Sequence, residues 1–305
     1  MSSAPCVWVL NLDAETELET LGNYTPPAAL LRVVEIQQQP LIRSLLAPGD
    51  ILLNHSNVDQ FAKNRDLEGL VGCAWSPTPG ALGMLAAVGA IPDPAPSVEI
   101  LRAINARPFA AEVRKDLIHD SFVKHLASNL EEALSVIART SVDNWLLRRS
   151  FGAAGRGRRK IAAGKPTAPE RSWIEASLRN GPLIIEPWVE VVREFTRSGW
   201  VSSKGDVTLA PPCLQETKSC GAWLSSQAAP PDALPRALDD RLQEAFEQAG
   251  RAIARAGYQG PFGVDSYLHK ATGGRLALNA LSEINGRYTM DWAQTRITDP
   301  SRNPA

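Results

Sequence analysis

Residues 276–290 read LALNALSEINGRYTM, and the fold turns on how they are taken. Leucine, alanine and isoleucine make the stretch look like a buried strand, yet Glu283, Asn285 and Arg287 fall at every second position. Alternate residues of a strand project to one face. A carboxylate, an amide and a guanidinium side by side in a core are costly unless they pair or bind something. Just upstream, FGVDSYLHK (262–270) is a second apolar run, and Gly273-Gly274 between the two predicts a hairpin. Folding back there sets Asp265 roughly opposite Ser282 or Glu283. A three-residue loop centred on Gly274, or one bulge, puts Asp265 and Glu283 on the same face. Two carboxylates and an amide oxygen then converge, an all-oxygen set suited to Mg²⁺. A plain Glu283–Arg287 ion pair is the competing explanation, and it leaves Asp265 and Asn285 idle.

Two further stretches carry chemistry. RRSFGAAGRGRRK (148–160) follows an apolar run and places Gly152, Gly155 and Gly157 among arginines. Glycines let backbone N–H groups turn toward an anion while the arginines supply opposite charge. No GK[ST] follows, so this is not a P-loop. A solvated surface loop and an RGG-like nucleic-acid segment are the other readings, and the lack of repetition counts against the second. LIIEPWVEVVREF (183–195) places Glu186 at the end of an apolar strand, with Glu194 a short connection later. A crossing of that kind can offer backbone groups to a purine and a carboxylate to ribose, although an ordinary strand with exposed glutamates reads the same way.

The whole chain sets the limits. Its 305 residues allow two domains, or a larger body with a smaller partner. A hydrophobic fraction of 44%, a charged fraction of 21% and a net charge of -1 are those of an ordinary globular protein and argue against general polyanion binding. No apolar run approaches the ~20 residues of a membrane span, and the start of the chain reads as no secretory signal. Cys6, Cys73, Cys213 and Cys220 form no CxxC pair, so zinc and a disulfide framework are not expected and a cytoplasmic setting is. Apolar runs at 6–12, 48–56 and 70–75 alternate with helical segments up to the proline-rich IPDPAPS, which predicts a parallel α/β sheet for residues 1–97. A helical pattern over 97–113 with Ser97 as N-cap follows, then helices at 127–140, 168–181 and 236–258. The tail ITDPSRNPA is expected to be disordered.

Phosphate loop, purine crossing and metal hairpin, in that order, resemble the ATP-grasp superfamily over nearly the whole chain. The resemblance implies an α/β and α+β ATP-grasp fold with a Rossmann-like domain in front: residues 1–97 as that domain, 98–180 as the small lobe with the phosphate loop, and 181–305 as the large lobe. It implies Arg107 and Arg148 at the two positions where the family carries ATP-binding lysines, an exchange that keeps the charge but not the shape. It implies Gly152, Gly155 and Gly157 around phosphate, Glu186 and Val189 at adenine, Glu194 at ribose, and Asp265, Glu283 and Asn285 on magnesium, two ions being usual. Arg287 and Lys218 would serve the transferred phosphoryl group. Some ligases of the family carry an arginine two positions before the hairpin aspartate, where this chain has Gly263. The implied activity is ATP- and Mg-dependent ligation of a small-molecule or peptide carboxylate, through an acyl phosphate, to an amine or other nucleophile. A kinase on the same fold and a regulator with reduced turnover are the alternatives. Nucleic acid and membrane are not expected partners, a homodimer is compatible, and Trp75, Ser76 and Thr78 are candidates for the acceptor side.

Overall fold

The computed structural model describes residues 4–294 apart from 21, 23, 118–121, 153–154 and 219–220. His119, Cys220 and the polar tail lie outside the described residues.

The first section is a parallel sheet in the order β2-β1-β3-β4: β1 (Val7–Val9), β2 (Ile51–Leu53), β3 (Val71–Ala74) and β4 (Ile91–Pro92). Helices α1 (Ala14–Thr20), α2 (Ala28–Leu45), α3 (Val58–Asn64) and α4 (Pro79–Ala87) connect them. Both faces of β1 are covered, which is why CVWVLNL is continuously apolar. Trp8 and Leu10 pack with Leu41, Leu45 and Trp75, whereas Val7 and Val9 pack with Leu53, Leu67 and Leu85.

Helices α5 (Val98–Asn105) and α6 (Arg107–Val113) come next. Ser97 caps the first, accepting from the Ile100 N–H. The single helical pattern over 97–113 breaks at Ala106, because Pro108 has no N–H to donate to Ile104. The break turns Arg107 out at a helix start.

The small antiparallel sheet has the order β5-β8-β6-β7, from β5 (His125–Ala127), β6 (Asn144–Arg148), β7 (Arg158–Ala162) and β8 (Leu183–Pro187). Helices α7 (Leu130–Ile137) and α8 (Ala168–Leu178) cover it. The division drawn at 180/181 falls inside this lobe: β8 is hydrogen-bonded between β5 and β6, so the crossing lies at 187–190. Arg158, Arg159 and Lys160 belong to β7, which shortens the glycine loop to 149–157.

The large sheet runs β12-β11-β9-β13-β14, with β10 beside β9. Its strands are β9 (Glu190–Val201), β10 (Val207–Leu209), β11 (Cys213–Thr217), β12 (Trp223–Ala228), β13 (Gly260–Lys270) and β14 (Leu276–Asn285), backed by α9 (Arg236–Arg255). Phe195, Phe246, Phe262 and Ile284 share a core with Leu101, Ile104, Ala110 and Val113, so α5 and α6 pack with this lobe rather than with the small one. The chain beyond β14 returns to the first domain. Tyr288 packs between Trp8 and Trp75, and its N–H donates to the Trp75 carbonyl at 3.1 Å.

No helix among the described residues is long and apolar enough to cross a membrane.

Candidate active site

The hairpin decides the site. Asp265 and Glu283 are direct partners across β13 and β14, and a register shift between Asp265 and Tyr267 supplies the bulge. Glu283 pairs not with Arg287 but with two other arginines: Arg107 Nη2 lies 3.0 Å from its Oε1, and Arg148 Nη2 donates to its Oε2. Arg148 Nη1 also lies 3.6 Å from Glu186 Oε1, and Lys124 Nζ lies 3.5 Å from Glu186 Oε2. Charges thus alternate along one line: Lys124, Glu186, Arg148, Glu283, Arg107. Three cations face two carboxylates along that line, leaving a cationic surplus beside the cavity.

Burial and this alternation set the protonation. Burial alone would raise the Glu283 carboxyl, but Arg107 and Arg148 outweigh it and hold it below the ordinary range. Burial would lower Arg148, yet Glu283 and Glu186 keep it raised. Asp265 has no such partner. Burial, then the Glu283 charge, push its carboxyl up to about 7, against a hydrogen bond from Asn285 Nδ2 at 2.9 Å.

Arg107 is held rather than free. Its Nη1 donates to the Arg149 carbonyl at 2.8 Å and its Nη2 to the Gly152 carbonyl at 2.6 Å, which fastens the glycine loop to the hairpin. Its Nε is buried without a hydrogen-bond partner, as are both carboxylate oxygens of Glu186. Within the loop, Gly157 has φ +70° and accepts from the Arg149 N–H at 2.8 Å, and a Cβ there would lie 2.9 Å from the Phe151 carbonyl oxygen. A Cβ on Gly152 would lie 2.6 Å from the Arg156 carbonyl oxygen. The loop can close this tightly only with glycine at both places.

These groups line one cavity of about 960 Å³. Arg107, Arg148, Gly152, Gly155, Glu186, Val189, Glu194, Lys218, Asp265, Glu283, Asn285 and Arg287 all border it; Gly157 closes the loop from behind. Glu186 is fully buried and turned to Lys124 and Arg148, so its side chain faces the cationic line. Glu194 is half-buried on β9, opposite Tyr267 and Gln215. Lys218 is exposed in the turn between β11 and β12.

Arg287 lies at the other end. Its Nε donates to Glu15 Oε1 of α1 at 2.6 Å, its Nη2 to Asn285 Oδ1 at 3.1 Å, and its guanidinium lies 5.6 Å from the centre of the Trp75 ring. Trp75 borders the cavity, but Ser76 and Thr78 do not. Both are fully buried, and Thr78 instead caps α4 and donates to Glu17 Oε2 at 2.6 Å.

Gly263 also has a structural reason. A Cβ there would lie 2.2 Å from Thr289 Cγ2, so Thr289 fills the space an arginine would need. Thr289 cannot retreat freely, because its hydroxyl is 2.7 Å from that of Ser198, which donates to Asp291. Gly263→Ala is therefore expected to cost about 1–3 kcal/mol through overpacking, read as a lowered denaturant midpoint with unchanged slope.

The sequence reading missed Lys124 and Glu15. Lys124 stands out weakly, as a lysine inside the apolar SFVKHL. Glu15 gives no local sign at all, since its partner is 272 positions away.

The magnesium expectation can be tested on the donors themselves. Among the described residues no three Asp, Glu, His or Cys side chains converge as a metal group. Any ion here therefore rests on Asp265, Glu283 and the Asn285 amide oxygen. Two carboxylates, one of them an aspartate pushed up by burial and then by the neighbouring Glu283 charge, fit a small divalent cation that completes its shell with water and phosphate, and the Asn285 oxygen joins them once its amide turns from Arg287 toward Asp265.

No protein-family model matches the sequence, and comparison with curated proteins gives no match. Solved structures do match. A biotin carboxylase from Campylobacter jejuni, described as a β,γ-ATP complex, superposes with a TM-score of 0.60 at 15% identity, over 95% of this chain and 67% of that one. D-alanyl-alanine synthetase A from Vibrio cholerae gives 0.53 at 12% identity, over 94% and 90%. An N5-carboxyaminoimidazole ribonucleotide synthetase in an ADP complex gives 0.51 at 14% identity, over 95% and 73%. At such identities the likeness is one of architecture, and it spans 94–95% of this chain. The chain has the ATP-grasp fold.

Proposed function

We propose that this protein is an ATP- and Mg-dependent ligase that activates a carboxylate as an acyl phosphate and joins it to an amine or other nucleophile. The observation that carries the reading is the line Lys124–Glu186–Arg148–Glu283–Arg107 beside Asp265 and Asn285, inside one cavity large enough for a nucleotide. The solved structures of the same fold include complexes described as containing ADP and ATP.

In this reading a carboxylate oxygen attacks the γ-phosphorus, the bond to the β–γ bridging oxygen breaks, and ADP leaves. The amine nitrogen then attacks the acyl carbon, phosphate departs, and the amine releases a proton to solvent. Phosphoryl transfer asks the protein chiefly to position groups and offset charge. Arg148, Arg107 and the loop glycines meet the phosphates, with Lys218 above them. The crossing at Val189 meets adenine, and Glu194 the ribose. Arg287 meets the oxygens of the activated carboxylate. Asp265, Glu283 and Asn285 would hold magnesium, which supplies charge neutralisation at the phosphates.

Calorimetric titration of ATP with and without magnesium, followed by a phosphate-release screen of pooled carboxylates and amines, tests this. Magnesium-dependent binding and release stimulated by a carboxylate support it. Binding without stimulated release points to a regulator instead, and no binding at any magnesium concentration overturns the reading.

A further inference from the structure

The cavity has a second end that the nucleotide does not explain. There α1 and the loop after β3 meet the chain beyond β14, and the pair Glu15–Arg287 lies between them. The two side chains are 9% and 16% exposed, so they are desolvated but still border the cavity. Around them the wall is mostly apolar: Leu12, Trp75 and Met290 belong to one cluster, Ile36 and Pro40 of α2 complete the mouth, and Gln37 and Thr289 are polar members of the lining. Ile36 is 73% exposed, so at the mouth α2 offers an uncovered isoleucine beside Gln37 and Pro40.

Charge decides what can occupy it. A simple carboxylate brought to Arg287 meets Glu15 as a like charge, and a simple amine brought to Glu15 meets Arg287. In a partly desolvated site either mismatch is expensive. A ligand that carries both charges on neighbouring atoms satisfies both. Arg287 has donor capacity left on Nη1 and Nη2 beyond its single bonds to the Tyr288 carbonyl and Asn285. We infer that this end is the acceptor subsite for a zwitterionic α-amino acid with an apolar side chain, its carboxylate on Arg287, its ammonium on Glu15 and its side chain among Leu12, Ile36, Pro40, Trp75 and Met290. This rests on the ligase reading and names its carboxylate substrate.

The test uses the full chain carrying a non-hydrolysable Mg·ATP analogue, whose own binding is measured first. Leucine, phenylalanine, glutamate, lysine and 4-methylpentanoate are then titrated by ligand-observed NMR. Leucine and phenylalanine should bind saturably. 4-Methylpentanoate, which is leucine without its amino group, should bind at least about tenfold more weakly, as expected for one lost charge-assisted hydrogen bond. In Glu15→Gln that discrimination should shrink toward parity, an outcome a merely structural role for Glu15 does not produce. Ile36→Asp, at an exposed position where folding is not at stake, should weaken leucine severalfold and shift preference toward lysine. Equal binding of leucine and 4-methylpentanoate, preference for glutamate, or no amino acid bound by a protein that does take the nucleotide each overturns this inference while leaving the ligase reading standing. Failure to take the nucleotide overturns both.

Discussion

Glu283→Gln is expected to lower carboxylate-stimulated phosphate release by about 10²–10³-fold, the scale seen when one preorganised charge-stabilising group is removed. The same change should abolish the dependence of ATP binding on magnesium without abolishing ATP binding itself. The reason lies in the double duty of this carboxylate. It would ligate the metal, and it neutralises the buried Arg107 and the half-buried Arg148 beside it. With magnesium bound there, a metal ion and two arginines would share one negative group, so nucleotide is expected to bind well only when magnesium brings in its own charge. Glutamine frees both arginines to meet phosphate directly. Calorimetry should then show similar ATP affinity with and without magnesium, and a coupled phosphate assay should show the loss of turnover. Retained magnesium dependence would place the metal elsewhere.

Stability should move in the same variant. Removing one partner of a buried ion pair typically costs 3–5 kcal/mol, because the charge left behind is uncompensated. Here two arginines are left, but each keeps other partners: Arg107 the Arg149 and Gly152 carbonyls, Arg148 the Glu186 carboxylate. The lower end of that range is expected, and added ATP should restore more stability in the variant than in the wild type.

The hairpin was legible because a strand's period of two makes a polar face visible in one dimension. Its register was not, since whether Asp265 meets Ser282 or Glu283 depends on a bulge that three-dimensional pairing with β9 and β14 decides. The glycine loop was legible from composition, but its bolt, Arg107, was readable only as a charge. That it holds two carbonyls of the loop depends on the break at Ala106, where one helical pattern becomes two helices. Lobe boundaries misread for a related reason. LIIEP reads as a strand in either lobe, and the sheet it joins depends on hydrogen bonds to β5 and β6 that no local pattern carries. Arg287 stands out in the sequence as a site candidate, but its neighbour does not, because Glu15 reaches it from the opposite end of the chain.

Asp265→Asn should separate stability from function. In the folded chain the Asp265 carboxyl is pushed up to about 7, whereas in the unfolded chain it titrates in the ordinary aspartate range near about 3.9. Between those values the folded state holds a proton that the unfolded state has released, so stability falls as pH rises. Below the window the carboxyl is protonated in both states and the penalty is absent; above it the penalty is complete. Metal-free wild type should therefore lose stability from about pH 4 to about pH 7 relative to Asp265→Asn, whose amide cannot ionise. At neutral pH without magnesium the variant should be the more stable protein, and with Mg·ATP the order should narrow or reverse, because only the wild type gains the ligand's binding energy in full. Phosphate release by the variant should fall by orders of magnitude. Midpoints of urea unfolding across that pH range, with and without Mg·ATP, give the answer. A buried carboxylate that destabilises the empty protein and is relieved by its ligand is the behaviour expected of a binding residue, since functional groups are often kept at a cost to stability. Equal pH profiles for the two proteins would show instead that the charged Asp265 carboxylate is already compensated by its neighbours within the fold, and the metal assignment would lose its main physical support.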